Sequence, residues 1–435
     1  MTDLNAALMT ETEGALASIG PDDPSDWVSV LRRKGLGAFR QHGLPTRRVE
    51  RWRYTPLAGL PVNRTENLGP ATESAAAGLP VGVAELPEVL MVDGSLARRP
   101  DRLSDGVVIE ALEDALRGET DSLRDVLDTL EIHGPDVSLS ALNTAMLGQG
   151  AVIRVRAGFD AGSMMLRWLS EDHSALMRHS RLCVLLEPGA SLQLVEQFEG
   201  STNSGTRMNL VTQIHLGSDA RLEQVRLQQE SEDAVLITRT EVVQDAHSDY
   251  RYVGLDLGGA LVRHDVRSRL QAPGAQCALN AASLTQGQSH VDTHLDAEHL
   301  AENCRSKQLF RAVLSDRSRV VFNGRVLVGT GADGSEAHQS SAGLLLSRGA
   351  EINSKPELEI YADEVVASHG ATVGQLDEDQ LFYLRSRGLD AEQARRVLVT
   401  AFCRIVITQI SDEVLCDALG TRLDDAMHAA GIEDD

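Results

Sequence analysis

From about Gly150 onward the chain breaks into short runs in which apolar and polar residues alternate. The runs occupy residues 152–155, 182–186, 192–195, 211–216, 222–227, 235–243, 250–257, 262–270, 278–284, 310–314, 320–328 and 358–361. Alternation at that length is a strand pattern. Six runs follow a small or turn-forming pair: Gly189–Ala190, Asp219–Ala220, His247–Ser248, Gly274–Ala275, Arg317–Ser318 and Gly349–Ala350. The second members lie 30, 28, 27, 43 and 32 residues apart. A unit near 30 residues with two or three strands cannot bury its apolar face alone and must stack on its neighbours, which predicts a β-solenoid. The uneven interval leaves a β-sandwich with meanders open, with Asn323–Gly324 as an ordinary hairpin turn.

Both flanks read as helical. Residues 27–39 carry Trp27, Val28, Val30, Leu31, Leu36 and Phe39 at near-helical spacing, ended by Gly43–Leu44–Pro45. Residues 68–87 are rich in Ala, Gly and Pro and read as a loop. A strand is expected at 89–92, and short helices at 109–116 and 123–130. Past the strands, Asp377 can cap a helix that Gly388 stops, and Asp390 with Gln393 resembles a capping box. Ala394, Val397, Leu398, Ala401, Phe402 and Ile405 then form a helical stripe. The expected units are a mostly helical domain at 1–140, the β core at 141–374 and a helical domain at 375–435.

Composition excludes several partners. With 41 basic against 64 acidic residues the net charge is −23, which counts against a nucleic-acid or anionic-membrane surface. Aromatic residues make up 3% of the chain, too few for base or sugar platforms. No apolar run suggests a membrane span, and the amino terminus does not read as a secretory signal, so a cytoplasmic location is expected. Lysine occurs only at Lys34, Lys307 and Lys355, none in a P-loop pattern, so any ATPase activity would come from a partner.

Candidate chemistry is sparse. Residues Gly329–Gly334 match GxGxxG but precede a polar, poorly helical stretch, as a turn between coils would. His290, His294 and His299 lie near Cys304, and the HxxxH spacing could place two imidazoles on one helical face; a surface or turn cluster is the simpler reading. In the cluster reading Cys304 is the thiol suited to iron and sulfur. The other cysteines read as buried and apolar. His369, before Gly370, reads as a turn residue just after the last strand.

The block KPELEIYADEVVASHGATVGQLDEDQLFYLRSRGLDAEQARRVLVTAF, residues 355–402, resembles the signature of the SufB/SufD family of iron–sulfur cluster assembly proteins. FRAVLSDRSRVVFNGRVLV, AHQSSAGLLLS and ERWRYTPL resemble it too, so the likeness covers most of the chain, with SufD the more similar branch. The resemblance implies a mainly β fold, with a right-handed parallel β-helix core flanked by amino- and carboxyl-terminal α-helical domains. It implies a non-catalytic scaffold in the SUF complex, pairing with a SufB-like subunit through the β-helices and with a SufC-like ATPase through the carboxyl helices. A nascent iron–sulfur cluster would be shared transiently with a partner; a reduced flavin has no support in these residues. SufD-like proteins often carry a cysteine in the block that here reads Ala367–Ser368–His369, so the implied cluster ligand is His369. Leu381, Phe382, Tyr383, Leu384, Arg385, Arg387, Gly388 and Phe402 fall in the block implied to meet the ATPase. A homodimeric β-helix scaffold without SufB is the alternative. A polysaccharide-active β-helix enzyme is a weaker one, because the aromatic platforms are missing.

Overall fold

The computed structural model describes residues 2–18, 26–57, 86–101, 104–118, 121–170, 177–200 and 206–429. Most of the loop expected at 68–87 lies outside them. The amino-terminal part contains helices α1 (Thr2–Ser18) and α2 (Trp27–His42), then strands β1 (Glu88–Val92), β2 (Ser95–Arg98) and β3 (Val107–Ala111). Helices α3 (Leu112–Arg117), α4 (Asp121–Asp128) and α5 (Ser138–Ala145) follow. The segment expected as one helix at 109–116 is therefore strand up to Ala111 and helix after it. Buried Val107 and Ile109 alternate with exposed Val108, so strand pairing claims the first half.

The core is a coil of sixteen strands: β4 (Gly150–Val155), β5 (Asp160–Ser170), β6 (Arg178–Leu186), β7 (Ser191–Gly200), β8 (Arg207–Leu216), β9 (Arg221–Gln229), β10 (Val235–Gln244), β11 (Asp249–Asp256), β12 (Leu261–Leu270), β13 (Gln276–Thr285), β14 (His290–His299), β15 (Arg305–Leu314), β16 (Arg319–Val328), β17 (Ser335–Leu345), β18 (Glu351–Ile360) and β19 (Val365–Gly374). Odd-numbered strands build one sheet and even-numbered strands a second, and from β6 onward each strand is parallel to the one two before it. The fold is mainly β: a parallel β-solenoid of about seven turns with helices at both ends. Asn323–Gly324 lies in mid-strand rather than in a hairpin.

Register explains the composition. Met208, Leu236, Val262, Val291, Val320 and Ile352 stack as one inward row, each opposite the next. Such a row accepts small and branched side chains and leaves few places for aromatics. The corner before each odd strand from β7 to β17 is held by a left-handed residue: Gly189, Asp219, His247, Gly274, Asn303 and Gly334 all have positive φ. Each donates its N–H to the next coil, as from Gly189 to Ser218 and from Asn303 to Asp333. After it comes a buried small residue: Ala190, Ala220, Ser248, Ala275, Cys304 or Ser335. The sequence pairs follow this corner as far as Ala275. Arg317–Ser318 and Gly349–Ala350 precede even strands, which accounts for the 43-residue interval.

Both outer faces are covered along much of their length. Helices α6 (Glu378–Ser386), α7 (Ala391–Ile407) and α8 (Glu413–Ala429) follow the solenoid, and α7 and α8 pack on the odd-strand sheet. Asp377 caps α6, Gly388 turns left-handed after it, and Asp390 with Gln393 forms a full capping box. The even-strand sheet is covered by α2 and α5. Buried Arg181 binds Asn143, Thr144 and Gln213 there, and Asn143 donates to the main chain of Ser180 and Asn209. A Cβ on Gly35 would lie 2.6 Å from the carbonyl of Ala141, so the approach of α2 to α5 requires glycine.

Glu230, buried after β9, has an unpartnered carboxylate oxygen. Burial, followed by repulsion from Glu199 and Asp233, pushes its carboxyl up to about 8. The folded chain therefore keeps a proton that the unfolded chain releases near 4.5, and stability falls as pH rises from 4.5 through 8. Glu230→Gln should match the natural chain in thermal unfolding near pH 5 and exceed it above pH 8.

Candidate functional site

Three places bring together the side chains that the sequence singles out. The first is a polar groove on the outer face of the even-strand sheet, with a volume of about 620 Å³. Outward residues of β12, β14, β16 and β18 form its floor, and the segment Glu50–Leu57 crosses it. Asp292 and His294 stand two apart on one face of β14, so period two, not a helical turn, unites them. His294 lies 2.9 Å from Asp292 and 3.7 Å from Asp265. Buried Arg263 pairs with both carboxylates. Arg51 reaches Asp296 at 2.8 Å and Asp265 at 3.6 Å.

The crossing segment is held at Glu50, Arg51, Trp52 and Thr55. Glu50 pairs with Lys355 at 2.5 Å, and the Arg51 carbonyl accepts from Arg263 at 2.9 Å. Trp52 lies under the Arg263 guanidinium, 3.9 Å from its ring centroid, and donates to the Asp136 carbonyl. Thr55 donates to Asp292 and meets His290 Nε2 at 3.1 Å. Burial opposes ionisation of Asp292, but Arg263 and His294 outweigh it and hold its carboxyl well below the usual range. Burial likewise works against the Arg51 charge, and Asp296 and Asp265 reverse the effect and raise its pKa.

His290, His294 and His299 therefore do not form one cluster. His290 and His294 face the groove, whereas His299 points inward, 2.7 Å from Ser306 Oγ, with burial pushing its imidazole down to about 4. Cys304 is fully buried in the small-residue row, its thiol near the carbonyls of Ala272, Glu302 and Leu270, and burial raises its pKa. Among the described residues no group of three or more His, Cys, Asp or Glu is arranged to hold a metal ion.

The second place is the carboxyl-terminal end of the solenoid. Among the described residues strands β18 and β19 are the last in their sheets, and each leaves one edge without a strand partner. His369 is an exposed residue within β19, not a turn residue after the last strand. Its register partner on β17 is Gln339, and neighbouring Ser368 meets His338 Nδ1 at 2.8 Å. Ile360, Tyr361, Val366 and Val373 are exposed around this end.

The third place is α6, which has no buried residue. Phe382 is 75% and Tyr383 56% exposed, while Leu381 and Leu384 are half-buried. Arg387 lies over the Tyr383 ring at 5.2 Å and donates to its hydroxyl, and Arg385 is exposed. Phe402 differs from these: it packs into the interface between α7 and the sheet, under Arg311 at 5.6 Å.

These features define a parallel β-solenoid protein with a bare carboxyl-terminal end and an exposed aromatic helix beside it. Residues 168–402 match the family described as SUF system FeS cluster assembly, SufBD core domain. The chain belongs to the SufB/SufD family of iron–sulfur cluster assembly proteins, with SufD its nearer branch. It is 32% identical to an iron–sulfur cluster assembly SufBD family protein of Synechocystis, over 94% of this chain and 92% of that one. It is 27% identical to the iron–sulfur cluster assembly protein SufD of Escherichia coli, over 89% and 90% of the two chains. A chloroplastic protein of Arabidopsis thaliana, ABCI7, is 35% identical over 54% of this chain and 50% of its own. No helix among the described residues is long and apolar enough to cross a membrane.

The groove network is not visible in the sequence, although ERWRYTPL supplies Glu50, Arg51, Trp52 and Thr55 to it. Removing one partner of a buried ion pair costs about 3–5 kcal/mol. Arg51→Ala should therefore lower stability by about that much in urea unfolding, and should expose the segment around Trp52 to proteolysis.

Proposed function

We propose that this protein is a scaffold subunit of a SUF-type iron–sulfur assembly complex, acting as SufD. A SufB-like chain docks on its bare solenoid end, and a SufC-like ATPase docks on its carboxyl helices. The observation that carries this reading is the pair of unpaired edges, β18 and β19, with exposed His369 on one of them. Open edges offer main-chain donors and acceptors in a row, the usual basis of strand addition between chains. The exposed apolar residues around them add surface that water does not favour.

The cluster is the cargo of this site. His369 supplies a neutral imidazole, a competent ligand for iron, and the partner supplies thiolates in place of the side chain missing at Ala367. Cys304 has a packing role in this reading, because it fills the buried corner row. Phe382, Tyr383 and Arg385 serve as anchors for the ATPase, since exposed aromatic and arginine side chains are the usual hot-spot types. Phe402 sets α7 on the sheet beneath, and Gly388 gives α6 its left-handed stop. Flavin has no assigned place. The subunit works in the cytoplasm, and a homodimer is the form expected where no SufB-like chain is present.

Co-expression with both partners tests the assignment. The Phe382→Ala/Arg385→Ala double variant should lose the ATPase in affinity capture while keeping the SufB-like chain. His369→Ala should leave the complex intact by mass measurement and lower the cluster absorbance formed on it. Undiminished ATPase capture would remove the α6 interface, and undiminished absorbance would remove His369 as a ligand.

A further inference from the structure

The last coils carry a polar inward column above Leu279, in a row that is also polar lower down at Gln224 and Tyr252. On the odd-strand sheet one inward row reads Leu279, Gln308, Gln339 and His369. Gln308 and Gln339 are 2% and 4% exposed. Gln339 Nε2 donates to Gln308 Oε1 at 2.7 Å, and Gln308 Nε2 donates to the Arg325 carbonyl at 3.0 Å. This relay has a direction. Both amide nitrogens are committed to acceptors below the last coil, and Gln339 Oε1 is left buried without a donor. An orphaned buried acceptor of this kind is destabilising until something supplies a donor.

A second feature makes room for the same amide. Gly324 lies in the middle of β16, where glycine weakens a strand and marks a close approach. A Cβ there would stand 1.7 Å from Gln339 Nε2 and 2.9 Å from Gln308 Oε1. The chain thus accepts a strand glycine and an unpaired buried oxygen at one point, directly beneath the coil that carries His369. A carbonyl oxygen needs an N–H, and the register partner of Gln339 in the next coil is an imidazole.

We propose that Gln339 is a positioning residue for His369. In the structure the exposed His369 ring does not reach Gln339 Oε1; turned in over the solenoid end it donates one imidazole N–H to that oxygen, which fixes the tautomer and ring orientation and leaves the other nitrogen's lone pair available to iron. Because Gln339 Nε2 is tied to Gln308, the amide cannot turn to present a donor instead. A ligating histidine is commonly set in this way through its second ring nitrogen. The functional half rests on His369 being a cluster ligand; the structural half does not.

Two measurements separate the halves. On the full chain alone, labelled with 15N-histidine, long-range 1H–15N spectra report the two ring nitrogens of His369, assigned by their loss in His369→Ala. The natural chain should show one dominant tautomer. Gln339→Leu should show both in exchange, Gln339→Glu should restore one, and Gly324→Ala should mix them by displacing the amide. An unchanged tautomer balance in Gln339→Leu overturns the proposal whatever the cluster yield. On the complex with both partners, Gln339→Leu should assemble cluster with about tenfold lower efficiency, and Gln339→Glu should recover it. A natural yield from Gln339→Leu overturns the functional half. A natural yield from His369→Ala overturns the ligand reading and leaves the tautomer result standing.

Discussion

Parallel, in-register stacking governs this molecule. Each residue of a coil lies on its counterpart in the next, so a side chain is selected by what stands above and below it. Inward rows that begin apolar stay apolar over many coils, as from Met208 to Ile352. Where a row turns polar, the change must continue or be closed by a partner. His264 is closed by Thr238 and Asp256, His299 by Ser306, and Gln308 by Gln339. The corners obey the same rule, since a left-handed residue in one coil donates to the coil that follows.

Stacking also explains how distant segments come to share a site. Glu241, Arg267, Asp296, Arg325 and Glu357 occupy one outward row with alternating charge. The rows beside it bring Asp265 next to His294. The crossing segment at Glu50–Leu57 then adds Arg51 and Trp52 to a network that includes Arg263, 212 residues from Arg51. Buried ions of this kind fix where the segment sits more than they add to stability, because their desolvation offsets much of their attraction.

Strands with apolar inward rows and helices with capping residues were legible in the sequence. The capping box at Asp390 and the Gly388 stop appear where the residues placed them. Four solenoid strands, β5, β14, β17 and β19, were not seen, the last three for a plain physical reason. Inward positions of β17 are Ala337, Gln339, Ser341 and Gly343, and those of β19 include Ala367, His369 and Ala371, so alternation of hydrophobicity is absent although alternation of direction is present. In β14 the charges that look solvent-exposed are buried beneath the crossing segment. The repeat slipped at Asn303–Cys304 because asparagine and cysteine can do the backbone work of Gly274–Ala275 without resembling it. The resemblance of residues 355–402 to a known family reached the family directly, while the relation of Gln339 and Gly324 to His369 needed the register.

The two ends of the solenoid are unlike. At the amino-terminal end the sheets finish in the short antiparallel strands β2 and β3, with Arg98 and Glu88 paired across the hairpin. At the other end both edges are bare over ten residues each. A body with two bare ends would polymerise into a fibre, one copy after another. Here one end is short and antiparallel and the other long and parallel, so the two ends are not equivalent templates and end-to-end growth of like copies is disfavoured.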